Sequence, residues 1–128
     1  MRIEGLITNF NAGAEVLPYR IVKFGSSDKT AIQAAAATDA SIGVADQMGA
    51  ASAGDPLDVI RSGIAEVEFG GNVTRGQPLT SDADGKAVAA APAAGASVRI
   101  IGHAEVSGVD GDIGSVHLSP GTLTNGGT

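Results

Sequence analysis

The two histidines, His103 and His117, are the side chains of this sequence best suited to acid–base or metal chemistry. A metal site needs three or four ligands that converge on the ion. No cysteine, further histidine or carboxylate stands at ligand spacing around either histidine, and both fall at outward-facing positions of predicted strands. We therefore expect two solvated or interface histidines, no metal site and no cofactor.

Two short loops come close to functional motifs without completing them. Residues 81–85 are similar to the acidic part of a calcium loop, in which glycine is the sixth residue. Counted from that glycine, Thr80 would be the first residue and Ala91 the twelfth, so both end ligands are missing. Residues 50–54 come within one residue of a nucleophile elbow, but Asp-Pro follows at once where the motif needs a helix. We expect a hairpin turn and a small-residue loop, no catalytic residues and no enzymatic activity.

The charge balance and the absence of cysteine exclude further classes of function. Eight basic against fourteen acidic residues give a net charge of −6, which repels phosphate backbones and argues against nucleic-acid binding. Without cysteine there are no disulfides and no thiolate metal sites. The first residues carry charge and no sustained apolar run, so we expect neither a signal peptide nor a membrane segment, and synthesis in the cytoplasm.

The composition favours an all-β fold. Nineteen glycines and five prolines in 128 residues mean frequent turns, and the 3% of aromatic residues leave a core of small aliphatic side chains. Residues 64–69 and 98–106 alternate apolar and polar side chains with the period of two that half-buried strands show. In the second of these segments the alternation places Ile101 and His103 together on the outer side. Asp84 and Gly85 are a strong hairpin turn signal.

Three blocks of sequence recur in one order at nearly one spacing, which indicates an internal repeat. We predict a small β-barrel or sandwich built from two repeated halves, residues 14–63 and 70–121, in a single domain of residues 14–121. Residues 1–13 and 122–128 lie outside the repeat and are expected to form flexible arms. The recurring blocks are 28–35 with 84–91, 42–46 with 101–105, and 54–63 with 111–121. They make Ile42 equivalent to Ile101 and Val59 equivalent to Val116, and we expect Val44, Val59, Ala104 and Val116 to be buried.

The order of several motifs resembles that of tailed-bacteriophage capsid decoration, or cement, proteins over residues 14–120. The motifs are R-I-V-K-F-G at 20–25, T-D-A-S-I-G-V-A at 38–45, G-D-P-L-D-V at 54–59, the segment at 70–88, and R-I-I-G-H-A at 99–104. The resemblance implies a structural virion protein that binds the outside of the expanded head and stabilises it by bridging major capsid protein subunits. It also implies a homotrimer, with the major capsid protein and the protein itself as partners.

Two other classes of protein share part of this pattern. A tail or baseplate structural component would have the same β-rich, cysteine-free character. A small carbohydrate-binding or hydrolytic module would need exposed aromatic rings, and the sequence has only Tyr19, Phe10, Phe24 and Phe69.

The predicted N-terminal arm suggests how the head is contacted. It contains Leu6, Ile7 and Phe10 within a polar stretch, and such a segment can add as a strand to the exposed sheet edge of a neighbour. These three residues are our candidates for contact with the capsid or with an adjacent decoration subunit.

Overall fold

The computed structural model describes residues 2–126 and has eleven β-strands and no helix within that range. The all-β prediction is confirmed, and the described residues include no helix that is long and apolar enough to cross a membrane. The strands are β1 (Ile3–Glu4), β2 (Ile7–Ala12), β3 (Ile21–Phe24), β4 (Thr30–Gln33), β5 (Ser41–Ala45), β6 (Pro56–Ile60), β7 (Gly63–Glu68), β8 (Pro78–Ser81), β9 (Ala87–Ala89), β10 (Ser97–Ala104) and β11 (Ile113–Thr124).

The first half of the chain closes into a five-stranded barrel with the strand order β2-β4-β3-β5-β6. β2 pairs antiparallel with β6, from Ile7 opposite Ile60 to Asn11 opposite Pro56, and its end pairs in parallel with β4. Closure leaves no free sheet edge around the barrel. Its interior is filled by small and medium apolar side chains, namely Phe10, Ala12, Val16, Val22, Ala31, Ile42, Ala45, Ala50, Leu57 and Val59.

The second half forms a six-stranded sheet in the order β1-β7-β11-β10-β8-β9. All of its strand pairs are antiparallel. A parallel bridge between Phe69 and Ala87 brings the end of β7 to the start of β9. The second half therefore curls towards a barrel like the first, with the short β1 added at its edge.

The two halves repeat the same pairing pattern, so strands β2 to β6 correspond to β7 to β11. The predicted equivalences of Ile42 with Ile101 and of Val59 with Val116 are confirmed, because their strands pair with equivalent neighbours. Val44, Val59, Ala104 and Val116 are at most 3% exposed, as expected. The matching pairs are Ala12–Ala31 with Phe69–Ala87, Val16–Ala50 with Val73–Gly108, Val44–Ile60 with His103–His117, and Ala45–Val59 with Ala104–Val116.

A β-bulge in β10 overturns one part of the predicted alternation. The pairing of β10 with β11 shifts between Ile100 and Gly102, so Ile101 leaves the strict period of two. Its side chain is fully buried and does not share the outer face with His103. The first half has the same irregularity at Ile42, where the register of β5 against β3 shifts.

The prediction of flexible terminal arms is largely wrong. Residues 7–12 form β2, a strand of the closed barrel, and residues 3–4 form β1 at the edge of the second sheet. At the other end β11 extends to Thr124 and pairs with β10 through that residue, so 122–124 are not a tail. Residues 127–128 lie outside the described range. Main-chain pairing on both sides of β2 is what holds the expected N-terminal arm in the fold.

One hydrophobic cluster is shared by both halves and joins them. Ile21, Val44 and Ile60 lie on the outside of the first barrel, are at most 1% exposed, and belong to this cluster. β5 contacts β7, β10 and β11 of the second half. The members from the second half are Ala65, Val67, Phe69, Val73, Leu79, Ala87, Ile101, Ala104, Val116 and Leu118.

The hairpin turn between β8 and β9 locks the two halves together. It lies where the sequence predicted, with Ser81 paired to Ala87 and Gly85 at a φ of 73°. The main-chain carbonyl of Gly85 accepts a hydrogen bond of 2.8 Å from the amide of Ile21 in the first half. The carbonyl of Asp84 accepts hydrogen bonds from the Arg20 guanidinium (2.8 Å) and from the side-chain amide of Gln33 (2.7 Å).

Gly85→Ala is expected to destabilise the protein more than Gly54→Ala. Both glycines have a positive φ, so each substitution costs about 1 kcal/mol of backbone strain. A Cβ at Gly85 would also lie 2.7 Å from Cγ of Gln33 and 3.2 Å from the carbonyl oxygen of Ala34, whereas Gly54 has open space. We expect a further 1–3 kcal/mol, roughly, from this clash. Urea unfolding of both variants measures the difference, and equal losses would contradict the proposed tight fit of the turn.

Candidate assembly surfaces

The two histidines are direct cross-strand neighbours on the outer face of the second half. His103 on β10 is paired with His117 on β11, and both side chains are exposed. Their predicted outward positions are confirmed. Within residues 2–126 no group of three or more histidine, aspartate or glutamate side chains is placed to hold a metal ion.

The two motif-like loops use their polar groups to shape turns. Oδ1 of Asp82 accepts hydrogen bonds from the amides of Asp84 (2.8 Å) and Lys86 (2.9 Å), which builds the tight turn. The hydroxyl of Ser52 donates to Oδ2 of Asp55 at 3.3 Å in a loop without helix. The side chains that suggested calcium or nucleophile chemistry are therefore engaged in local main-chain structure.

The structure does not bring the three candidate contact residues onto one surface. Leu6 is 57% exposed, Ile7 is partly buried against the shared cluster, and Phe10 is 6% exposed inside the first barrel. The ring of Phe10 contacts Phe24 edge to face at 6.1 Å and lies under the guanidinium of Arg61. Phe10 is therefore a core residue, and Leu6 alone among the three offers a largely free apolar side chain.

A signal for the burial of Phe10 is present in the sequence. In residues 7–12 the apolar side chains of Phe10 and Ala12 alternate with Asn9 and Asn11. An offset of 57 also places this segment on residues 64–69, the clearest predicted strand. Extending the repeat by one strand towards the N-terminus would have identified β2.

Two groups of exposed apolar side chains mark surfaces that could contact other molecules. The edge patch consists of Ile3 on β1 and Leu6, which are 55% and 57% exposed. The loop patch consists of Val106, Val109 and Ile113 between β10 and the start of β11, which are 39%, 54% and 41% exposed. The edge patch and the loop patch lie at opposite ends of the strands of the second sheet.

A two-stranded ribbon extends the second half beyond the repeated unit. Residues 97–100 of β10 pair with residues 121–124 of β11, whereas β5 and β6 of the first half have no such extension. β11 pairs with β7 only from Ile113 to His117, so among the described strands its outer part pairs with β10 alone. The ribbon contains residues 122–124 of the predicted C-terminal arm.

Asp39 organises the loop that supports the base of this ribbon. Its Oδ2 accepts hydrogen bonds from the amides of Ala35 (2.8 Å) and Ala36 (3.0 Å) and forms a 3.1 Å ion pair with Lys23. The carbonyl of Ala37 in this loop accepts a 2.8 Å hydrogen bond from the amide of Arg99 on the ribbon. Partial burial opposes ionisation, but the hydrogen bonds and Lys23 outweigh it and lower the pKa of Asp39.

A second charged cluster lies beside the locking turn. Glu68 forms ion pairs with Arg20 (3.4 Å) and Lys86 (3.2 Å), and Lys86 also lies 3.6 Å from Asp110. The hydrogen bond to Glu68 raises the pKa of Lys86. The cluster connects the two halves electrostatically, since Arg20 belongs to the first and the other members to the second.

An open depression of about 450 Å³ lies at one end of the first barrel. Its carboxylates already accept hydrogen bonds from their surroundings: Asp46 from the amide of Met48, Asp55 from that of Ser52, and Asp58 from the side chain of Asn9. These hydrogen bonds shape the loops around the depression. Its lining is formed by Asn9, Asp46, Met48, Gly49, Ala50, Ala51, Asp55, Pro56 and Asp58.

A repeated β-unit that displays apolar groups at a sheet edge and on a loop has the features of a structural assembly module. The family model described as phage cement protein matches residues 4–119. The chain belongs to this family, and it is a structural component of the phage capsid rather than an enzyme.

The fold is also found in a solved structure. The crystal structure of the head fiber gp8.5 N base in bacteriophage phi29 is similar, with a TM-score of 0.68 and 21% sequence identity. The match covers 89% of this chain and 93% of that chain, so the shared fold extends over both halves. No curated protein matches the chain.

Asp39→Asn is expected to lower the free energy of unfolding at neutral pH by about 1 kcal/mol, because it weakens two charge-assisted hydrogen bonds at a partly exposed site. The folded-state pKa of Asp39 lies below the ordinary 3.8, so this contribution is present above that pH and is lost as the pH falls through the folded pKa. Urea unfolding at pH 7 and pH 3 should show the difference between wild type and variant shrinking in acid. The exposed turn residue Asp28 supplies the control variant Asp28→Asn, and a difference that is constant with pH would contradict the assignment.

Proposed function

We propose that this protein binds the exterior of the expanded phage head and stabilises it by bridging neighbouring major capsid protein subunits. The observation that carries the proposal is membership of the phage cement family over residues 4–119, which include both halves of the fold. A bridging protein must offer at least two contact surfaces. The edge patch and the loop patch supply two separate apolar surfaces for this purpose.

The edge patch keeps part of the role first assigned to the N-terminal arm. Leu6, between β1 and β2, remains a contact candidate because it is exposed, and the exposed Ile3 on β1 joins it. Complete burial of a leucine or isoleucine side chain contributes about 1.5–3 kcal/mol. A few such side chains in each copy, repeated around a symmetric shell, are enough for stable decoration.

We further propose that the protein acts as a homotrimer on the head. Its core is built from small side chains, and symmetric association adds apolar burial that a thin core lacks. Three linked copies also bind a symmetric lattice with greater avidity than one. The net charge of −6 favours solubility of the free protein before it docks.

Co-sedimentation with isolated phage heads tests the proposal. We expect the protein to bind expanded heads, to raise the temperature at which they release DNA, and to show the mass of a trimer by light scattering. The variants Ile3→Ser/Leu6→Ser and Val109→Ser/Ile113→Ser should weaken binding at least tenfold while remaining folded. Leu17→Ser/Met48→Ser changes exposed apolar residues elsewhere and is the control, expected to bind like wild type.

Binding to isolated tails in place of heads would contradict the proposal and favour a tail component. A strict monomer both in solution and on the head would contradict the trimer. Equal binding by both patch variants and the control would contradict the assignment of the contact surfaces.

A further inference from the structure

The fold places the two histidines of the chain side by side on neighbouring strands. His103 on β10 is directly opposite His117 on β11, within a continuous antiparallel register. Side chains that face each other in this way have Cβ atoms about 4.5–5.5 Å apart. Both histidines are exposed, so the two imidazole rings project from the same face of the sheet into solvent.

Neither imidazole is used by the fold. Within residues 2–126 no hydrogen bond or ion pair joins the side chain of either histidine to another residue. The next residues in the same row are Ile64, which is opposite His117, and Pro78, which is opposite His103. Their side chains have no donor or acceptor, so they do not compete for the imidazole nitrogens.

The repeat shows that the fold does not require histidine at these positions. The strand pairing that places His103 opposite His117 places Val44 opposite Ile60 in the first half. Val44 and Ile60 are at most 1% exposed and pack between the halves. The chain therefore has an imidazole pair only at the copy of this position that is open to solvent.

The surroundings of the histidine pair are acidic. The amide of Glu105 donates to the carbonyl of Ser115, so the ladder continues and Glu105 shares the face of His103. Glu66 on β7 is opposite Ser115 and lies on the same face. Among the described residues neither carboxylate completes a group of three metal ligands, but both add negative potential that attracts cations.

Two adjacent imidazoles suit a particular class of ion. Imidazole nitrogen binds late first-row divalent cations such as Zn²⁺, Ni²⁺ and Cu²⁺. Metal–nitrogen distances of about 2.0–2.1 Å require the two nitrogens to lie about 3 Å apart, which rotation of two opposite side chains can achieve. A closed structural site has four ligands, whereas a chelate of two leaves positions open to water or to a donor on another molecule.

We propose that His103 and His117 form an open two-histidine chelate for a late first-row divalent cation. The chelate depends on the pairing of β10 with β11, because that pairing is what places the imidazoles opposite each other. Binding of the ion therefore stabilises the folded protein. The proposal does not depend on binding to the phage head.

Titration calorimetry of the full, untagged chain with Zn²⁺ tests the proposal, since the chain has no other histidine and no cysteine. We expect one ion per chain. H103Q and H117Q each leave a single imidazole and should weaken binding by about tenfold or more, because the second contact is no longer intramolecular. Saturating Zn²⁺ should raise the urea midpoint of the wild type and not that of either variant.

H117Q/S27H is the matched control, because it keeps two histidines but places one of them in the exposed turn between β3 and β4. It should bind Zn²⁺ no more tightly than H117Q. E105Q removes a neighbouring charge without removing a proposed ligand, and it should lose less affinity than either histidine variant. Circular dichroism without metal checks that each variant is folded.

NMR of the imidazole rings shows whether both bind the same ion. During a Zn²⁺ titration of the wild type, the ring signals of both histidines should change with one shared midpoint. Two different midpoints would overturn the proposal. It is also overturned if the wild type takes up no Zn²⁺, or if folded H103Q, H117Q or H117Q/S27H binds Zn²⁺ as tightly as the wild type.

Discussion

The rest of the structure depends on the contact between the two repeated halves. Neither half buries all of its apolar side chains by itself, because one cluster contains residues from the outer face of the first barrel and from the second half. The docked turn adds directional hydrogen bonds at Ile21, Arg20 and Gln33 to this apolar contact. Small side chains throughout both halves make each contact weak, so stability rests on many such contacts within a single cooperative unit.

Strands, turns and repeat equivalences could be predicted where a pattern visible in the sequence determines the structure. The alternation in residues 64–69 and the turn at Asp84 and Gly85 follow from a period and a turn chemistry that a few neighbouring residues determine. The repeat equivalences follow from comparing distant blocks of the same sequence. The calcium-like and elbow-like loops were also assigned correctly as turns, because their missing residues are visible in the sequence itself.

The sequence-based predictions were wrong where contacts between distant parts of the chain determine the structure. Residues 1–13 look like an arm only while their pairing partners are unknown, and β2 is held by β4 and β6 from elsewhere in the chain. The bulge at Ile101 turns an apparently outward residue into the core. The docking of one half on the other is asymmetric, so the burial of Val44 beside the exposure of the equivalent His103 cannot be derived from the repeat alone.

This asymmetry links the fold to assembly. One outer face of the first half is buried between the halves, whereas its counterpart on the second half carries Pro78, His103 and His117 and is at least partly exposed. The remaining apolar groups at the sheet edge and the loop are then available for other partners.

The central claim, that the shared cluster makes both halves one cooperative unit, is tested most directly by native-state amide hydrogen exchange in increasing urea. The amides of Val22 and Val59 report the first barrel, and those of Val67 and Val116 report the second half. The account predicts that all four converge on one free energy of opening and one dependence on urea. Two distinct values, one for each half, would contradict it.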